Sequence, residues 1–279
     1  MADGQLDRAL AARAAQGDAR ALEALVTRHQ PWVFAVALRM LGNRSDAAET
    51  TQEVMLKIVT RLSQYRGESK FRTWAYRLAA NTVLDAAKAR SRRTRNFTEF
   101  AAELEAAGNE SLVLPPDQEP DRALLLEETR MRCMTGMMLC LSPEQRLVYI
   151  LGDVFDVNST LGAELLEIQP ATFRKRLARA RADIGHFVFE QCGLVDARNP
   201  CRCPGKTSRL MKQGLVDPSN LVFSERGWKR AQRDALPLAK SLAGAQARFR
   251  ALLADQPLTP GPDVLMELRS AMSSGLDGL

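Results

Sequence analysis

Between Gly17 and Arg93 the apolar positions recur every third or fourth residue, the spacing of one helix face. Asp18 offers an N-cap for a helix carrying Leu22, Leu25 and Val26. The pattern repeats from Trp32 to Leu41 with Val33, Val36, Ala37, Met40 and Leu41, and Gly42-Asn43 halts it. Ser45 or Asp46 starts a third helix, whose apolar face is expected to hold Val54, Leu56, Ile58, Val59 and Leu62. The loop Tyr65 to Lys70 ends that run. A fourth helix is predicted from Phe71 to about Arg90, with Trp74, Leu78 and Val83 inward and Leu84 beside them.

Polarity then changes. From Phe97 to Asp121 the chain carries Glu99, Glu103, Glu105, Glu110, Asp117, Glu119 and Asp121 without a lysine or arginine. With Gly108-Asn109 and Pro115-Pro116 inside it, the stretch 94–122 reads as a flexible acidic linker holding at most a short helix, Phe97 to Ala107. Helical spacing resumes from Asp121 to Leu139, and a break follows where Ser142 can cap and Pro143 takes the first helical position. Another helix covers Glu144 to about Asp153, and Asn158 to about Phe189 reads as helix, short turn, helix. Cys192 to Lys206 is a Cys/Pro/Gly loop, and the tail has helical patches at Glu225 to Leu253 and Pro262 to Met272. The predicted fold class is therefore all-α. Two helical modules, 1–93 and 123–189, are joined by the linker 94–122 and followed by the cysteine loop 190–206 and a helical C-terminal extension, 207–279.

The formal charge of +6 and a pI near 9.3 hint at a polyanionic partner. Placement says more than the total. Lys88 to Arg95 on one module and Arg174 to Arg181 on the other are basic, and the acidic stretch lies between them. No run of about 18 apolar residues occurs and the start lacks the layout of a secretory signal, so a cytoplasmic, non-membrane protein is expected. Five cysteines are too few for a disulfide framework there. A phosphate-binding glycine loop and an HExxH motif are both missing, and the chain has only two histidines, so an enzyme is not expected.

Two motifs carry more specific information. Asp46-Ala-Ala-Glu49-Thr-Thr-Gln52-Glu53-Val-Met-Leu-Lys57 sets Asp46, Glu49, Gln52 and Glu53 on one helix face. Phe71-Arg-Thr-Trp74-Ala-Tyr-Arg77-Leu-Ala-Ala-Asn81-Thr-Val-Leu-Asp85, extended by Lys88, combines aromatics for stacking, an amide for base edges and cations for phosphates. Phe71 and Trp74 suit a core better than a base contact. The two segments resemble region 2 of the extracytoplasmic-function (ECF) branch of the sigma-70 family. That resemblance implies a four-helix bundle docking on core RNA polymerase through Asp46, Glu49, Gln52 and Glu53. It also implies binding and melting of the promoter −10 element through Phe71, Arg72, Thr73, Arg77, Asn81, Asp85 and Lys88, with the loop from Gly67 to Phe71 holding a flipped base. Glu49-Thr50 departs from the Asp-Leu more usual in the family. The segment Asn158 to Arg181 is similar to region 4, a helix-turn-helix with Ala163, Leu166, Ile168, Phe173 and Leu177 as its core. The resemblance places Thr172, Arg174, Lys175, Arg176 and Arg179 at the −35 element. Gly162 and Glu167 stand where the family more often has a large aliphatic and a turn glycine.

Promoter DNA and core polymerase are thus the expected partners, with an anti-sigma protein a further candidate. The cysteine cluster lies outside the resemblance. His186, Cys192, Cys201 and Cys203 supply one imidazole and three thiolates, a donor set suited to tetrahedral Zn2+. The competing reading is a metal- or redox-responsive helix-turn-helix regulator that binds DNA without engaging polymerase.

Overall fold

The structure, a computed structural model, describes residues 2–90, 95–106, 111–114, 122–219 and 221. Among them the regular structure is helical, apart from one isolated bridge between Cys192 and Cys201. Contacts divide the described residues into two units. One lies within Met1–Arg92 and Thr160–Pro170, the other within Arg93–Ser159 and Ala171–Pro257.

The first unit is built on α2 (Ala19–Leu41). Asp18 caps it as expected, accepting from the backbone N–H groups of Arg20 and Ala21 at 3.0 and 3.1 Å. Pro31 does not end the helix, so the two predicted runs are one. A proline inside a helix costs about 3 kcal/mol. Every residue from Trp32 to Met40 is buried, and that burial offsets the loss. A helix apolar all round belongs at the centre of its bundle. Gly42 closes α2 in the left-handed region, φ 70°, which glycine adopts without steric cost.

Asn43, and neither Ser45 nor Asp46, caps α3 (Arg44–Thr60), accepting from the amides of both. Leu56, predicted inward, is exposed on α3. A single 3-10 turn, Leu62–Gln64, leads to the loop before α4 (Phe71–Arg90). The inner face of α4 is small: Ala75, Ala79, Ala80, Val83 and Ala87 are buried, whereas Trp74, Leu78 and Leu84 are only half-buried. Alanine lets α4 approach its neighbours closely. A helix that periodicity did not announce, α1 (Ala2–Ala15), packs against α2. Its anchor is polar: buried Asp7 accepts from Arg28 Nε at 2.9 Å and stands 3.4 Å from His29 Nε2, not aligned for a hydrogen bond. Burial, outweighing the nearby Asp7 charge, pushes the His29 pKa down and favours the neutral ring.

In the second unit the acidic stretch is not a loose tether where it is described. α5 (Phe97–Glu105) is fixed by a reciprocal capping box between Asn96 and Glu99. It buries Phe100 and Leu104. Phe100 packs so closely on α6 (Arg122–Leu139) that a Cβ at Gly136 would lie 2.9 Å from its ring. Leu112 and Leu114 are buried with Leu125, Leu210 and Val216. The apolar residues interleaved with the acids therefore decide the structure here.

Beyond α6 the chain turns into α7 (Pro143–Tyr149), capped by Ser142, and continues in a π-helical turn, Ile150–Val154. Arg146 ties off the preceding helix, donating to the carbonyls of Met138, Leu139 and Leu141 at 2.9, 3.0 and 3.0 Å. α8 (Ser159–Leu166) and α9 (Pro170–Gln191) follow, joined by a three-residue turn. Ala163, Phe173 and Leu177 are buried as predicted, but Leu165 is buried where Leu166 and Ile168 are half-buried. Glu167 occupies the left-handed region at φ 53°. Glu167→Gly is therefore expected to stabilise the chain by about 1 kcal/mol, read as a raised urea midpoint at unchanged slope. A lowered midpoint would mean that the turn is unstrained. Finally, α10 (Cys203–Lys212) begins inside the predicted cysteine loop. The patches 225–253 and 262–272 lie outside the described residues.

Candidate nucleic-acid interface

α3 turns its acidic face outward. Glu49 and Glu53 are 75% and 53% exposed, and Asp46 and Gln52 are half-buried. All three of these carboxylates are already engaged: Arg90, from the last turn of α4, lies 3.3 Å from Asp46 and 3.3 Å from Glu49. Glu53 pairs with Lys57 at 2.7 Å, and Lys57 also donates to Thr82 of α4 at 3.2 Å. The two helices that carry the candidate residues are thus cross-linked by side chains. Arg90 escaped the sequence reading because its partners lie more than 40 positions away.

On α4, Arg72, Asn81, Asp85 and Lys88 are exposed and Arg77 is half-buried; Arg77, Asn81, Asp85 and Lys88, spaced by four, four and three residues, share one face, and Arg72 lies round the helix from them. Arg77 lies 3.8 Å from Glu164 and 3.6 Å from Glu167. Two predicted DNA residues are elsewhere. Phe71 is 1% exposed, wedged among His29, Tyr65 and Trp74, and Thr73 is buried too. A buried ring cannot stack on a base without unpacking the bundle, so Phe71 and Thr73 are core residues and not contact residues.

Phe71 instead supports the loop before it. Tyr65 packs edge-on against Phe71 and donates its hydroxyl to the Ser69 carbonyl at 2.8 Å. Gly67 in that loop takes φ +76° against Arg8. Beside the loop a cleft of about 820 Å³ is lined by Asp7, Arg28, His29, Trp32, Lys70, Arg72 and Tyr76, among others. Trp32 and Tyr76 stack at 3.6 Å, and the Arg72 guanidinium sits 5.0 Å over the Tyr76 ring. Both rings are buried and cover each other, so they are closed to a base, whereas the exposed Arg28, Lys70 and Arg72 give the cleft a cationic rim that suits a phosphate. Trp32, Tyr76, Arg28 and Lys70 were missed as cleft residues because they lie on three separate segments.

α9 divides cleanly. Phe173, Leu177, Ala180 and Ile184 face the core, with Leu177 so close to Gly152 that a Cβ there would lie 2.8 Å from it. Arg174, Lys175 and Arg179 are exposed, and Thr172 and Arg176 are half-buried. Arg181 serves the protein itself, its Nε 3.0 Å from buried Asp153. His186 is exposed on α9. The predicted set His186, Cys192, Cys201 and Cys203 is not brought together as a metal site, since no three His, Cys, Asp or Glu side chains among the described residues are grouped to hold an ion; Cys133 on α6 has its thiol pushed well above its usual pKa by burial and then by Cys201, Cys192 and Cys203.

None of the described helices is long and apolar enough to cross a membrane. Residues 25–93 match the family described as sigma-70 region 2. The chain is 30% identical over 188 residues to the ECF RNA polymerase sigma-E factor of Haemophilus influenzae, an alignment covering 67% of this chain and 98% of that protein. It is 28% identical over 178 residues to the RNA polymerase sigma-H factor of Pseudomonas aeruginosa, covering 64% and 91%. The structure of CnrH in complex with the cytosolic domain of CnrY aligns at 25% identity with a TM-score of 0.46, over 66% of this chain and 97% of that one.

Proposed function

The chain belongs to the ECF branch of the sigma-70 family, and from that premise we propose that it directs bacterial RNA polymerase to specific promoters and helps to open them. It is a sigma factor, working with RNA polymerase. The reading as a regulator that bypasses polymerase is not favoured.

The observation that carries the division of labour is the opposed presentation by α3 and α4, within the matched residues, of an exposed carboxylate face and an exposed amide-and-cation face. In our reading Asp46, Glu49, Gln52 and Glu53 dock on the polymerase. Unstacking a base step costs a few kcal/mol, so the opened strand must be held as it leaves the duplex. Asn81 reads a base edge, and Arg72, Arg77 and Lys88 hold phosphates. Arg174, Lys175 and Arg179 grip the −35 duplex, with Thr172 and Arg176 beside them. Polymerase carries out the chemistry and this chain positions it. An anti-sigma protein is a further proposed partner, one that would occlude the α3 and α4 faces.

Glu53→Ala is expected to weaken binding to core polymerase while leaving strand opening by the assembled holoenzyme intact. Asn81→Ala should do the reverse, lowering open-complex formation about tenfold, the weight of one lost base-edge contact. Core affinity by fluorescence anisotropy and opening by permanganate reactivity separate the two. Equal losses by both variants in both assays would overturn the division.

A further inference from the structure

Three cations ring the cleft beside the loop that precedes α4: Arg28 from α2, Lys70 from the end of the loop and Arg72 from the first turn of α4. All three are exposed. Of the described residues lining the cleft, Asp7 alone is acidic, and it is 3% exposed with one oxygen accepting from Arg28 Nε at 2.9 Å. Lys70 and Arg72 have no carboxylate partner among the described residues. Packing and position fix them instead. The Arg72 guanidinium rests 5.0 Å over the Tyr76 ring, which is itself stacked on Trp32, and the Lys70 carbonyl accepts from the Trp74 N–H at 3.2 Å at the start of α4. Three cations against one carboxylate leave the cleft positive, and its low-dielectric wall of buried rings concentrates that field at the opening.

Resting on the sigma-factor reading above, we propose that this cleft holds a phosphate of the unpaired promoter strand, with Lys70 and Arg28 joining Arg72 as its contacts. Position favours a strand as the source of the anion. Arg77, Asn81, Asp85 and Lys88 share one face of α4, and Arg72 lies round the helix near its start. Arg72 and Arg77 are about 7.5 Å apart along the axis. A strand that follows the α4 face therefore crosses the first turns of the helix and arrives at the cleft. A phosphodiester brings two charged oxygens, which can meet donors converging from separate segments of chain. The bases stay outside, because Trp32 and Tyr76 cover each other. The contact is thus blind to sequence: it retains the strand once opened and does not choose it.

The test uses holoenzyme reconstituted with the full chain, and the single non-template strand of the −10 region from a promoter that the unmodified holoenzyme recognises. Lys70→Gln removes one phosphate contact at an exposed position, and thermal melting verifies that the fold is kept. The slope of log affinity against log salt should flatten by about 0.7, the single-strand value for one phosphate. Arg20→Gln, which removes an exposed cation of α2 outside the cleft, should leave the slope unchanged. Replacing strand phosphates one at a time by uncharged methylphosphonates should reveal a position whose neutralisation costs the unmodified holoenzyme several-fold more affinity than it costs the Lys70→Gln holoenzyme. An unchanged slope, or penalties that add at every position, overturns the proposal. Loss of deoxyadenosine monophosphate binding by Lys70→Gln, with the strand slope unchanged, would assign the cleft to a free nucleotide and overturn the strand as its ligand. Failure of the unmodified holoenzyme to bind any promoter strand would overturn the sigma-factor reading along with it.

Discussion

Replacing Arg174, Lys175 and Arg179 together by alanine is expected to weaken promoter binding on the order of a hundredfold at physiological salt. Each cation that neutralises a phosphate releases condensed counterions, contributing roughly 0.9 to the slope of log affinity against log salt. Three lost contacts should flatten that slope by about 2.7. All three side chains are exposed on α9, and the buried row Phe173, Leu177, Ala180 and Ile184 on the other face is untouched by the change. The measurement is a salt titration of holoenzyme affinity for a promoter that the unmodified holoenzyme recognises. Arg181 is the internal control: its guanidinium holds buried Asp153, so Arg181→Met should leave the slope alone and lower thermal stability instead. A slope unchanged in the triple variant would remove α9 from the DNA interface.

Arg146→Met should destabilise the second unit by about 3 to 5 kcal/mol. Methionine fills much of the same volume, but it cannot donate to Met138, Leu139 and Leu141, and each buried carbonyl left without a partner costs roughly 1 to 3 kcal/mol. Water can reach the partly buried Leu139 contact, which keeps the total below the sum. Burial lowers the Arg146 pKa to about 10, so the guanidinium remains charged near neutrality. For a chain of this size the melting temperature should fall by roughly 10 °C. Calorimetry of the full chain tests it, and a shift below about 2 °C would mean that the α6 end finds other donors.

The helical architecture was legible where periodicity was strong. α4 and α6 lie within a residue of their predicted bounds, because each has apolar spacing and clear flanking breaks. α1 was not legible, since its anchor is the buried Asp7 and not an apolar stripe. Reading the acidic stretch by net charge hid Phe100, Leu104, Leu112 and Leu114, whose burial overrides the surrounding carboxylates. Among the candidate residues, the types were readable and the facing was not. Phe71 has the chemistry of a stacking residue and the position of a core residue. His186, close to Cys192 along the chain, is exposed on α9, and Cys133 on α6, remote along the chain, has Cys192, Cys201 and Cys203 as electrostatic neighbours. Spacing cannot reveal a partner 59 or more positions away.

Arg90 has a consequence for how α3 meets another protein. With its guanidinium against Asp46 and Glu49, and with Lys57 on Glu53, each of the three carboxylates on that face has a cation beside it before any encounter. An incoming cation must evict a resident one, so the exchange yields little net Coulomb energy, and raising ionic strength weakens the old pairing along with the new. Carboxylates in this position discriminate between partners more than they attract them. Adhesion must then come from uncharged contact, and the exposed Leu56, one turn beyond Glu53 on α3, is the side chain placed to provide it.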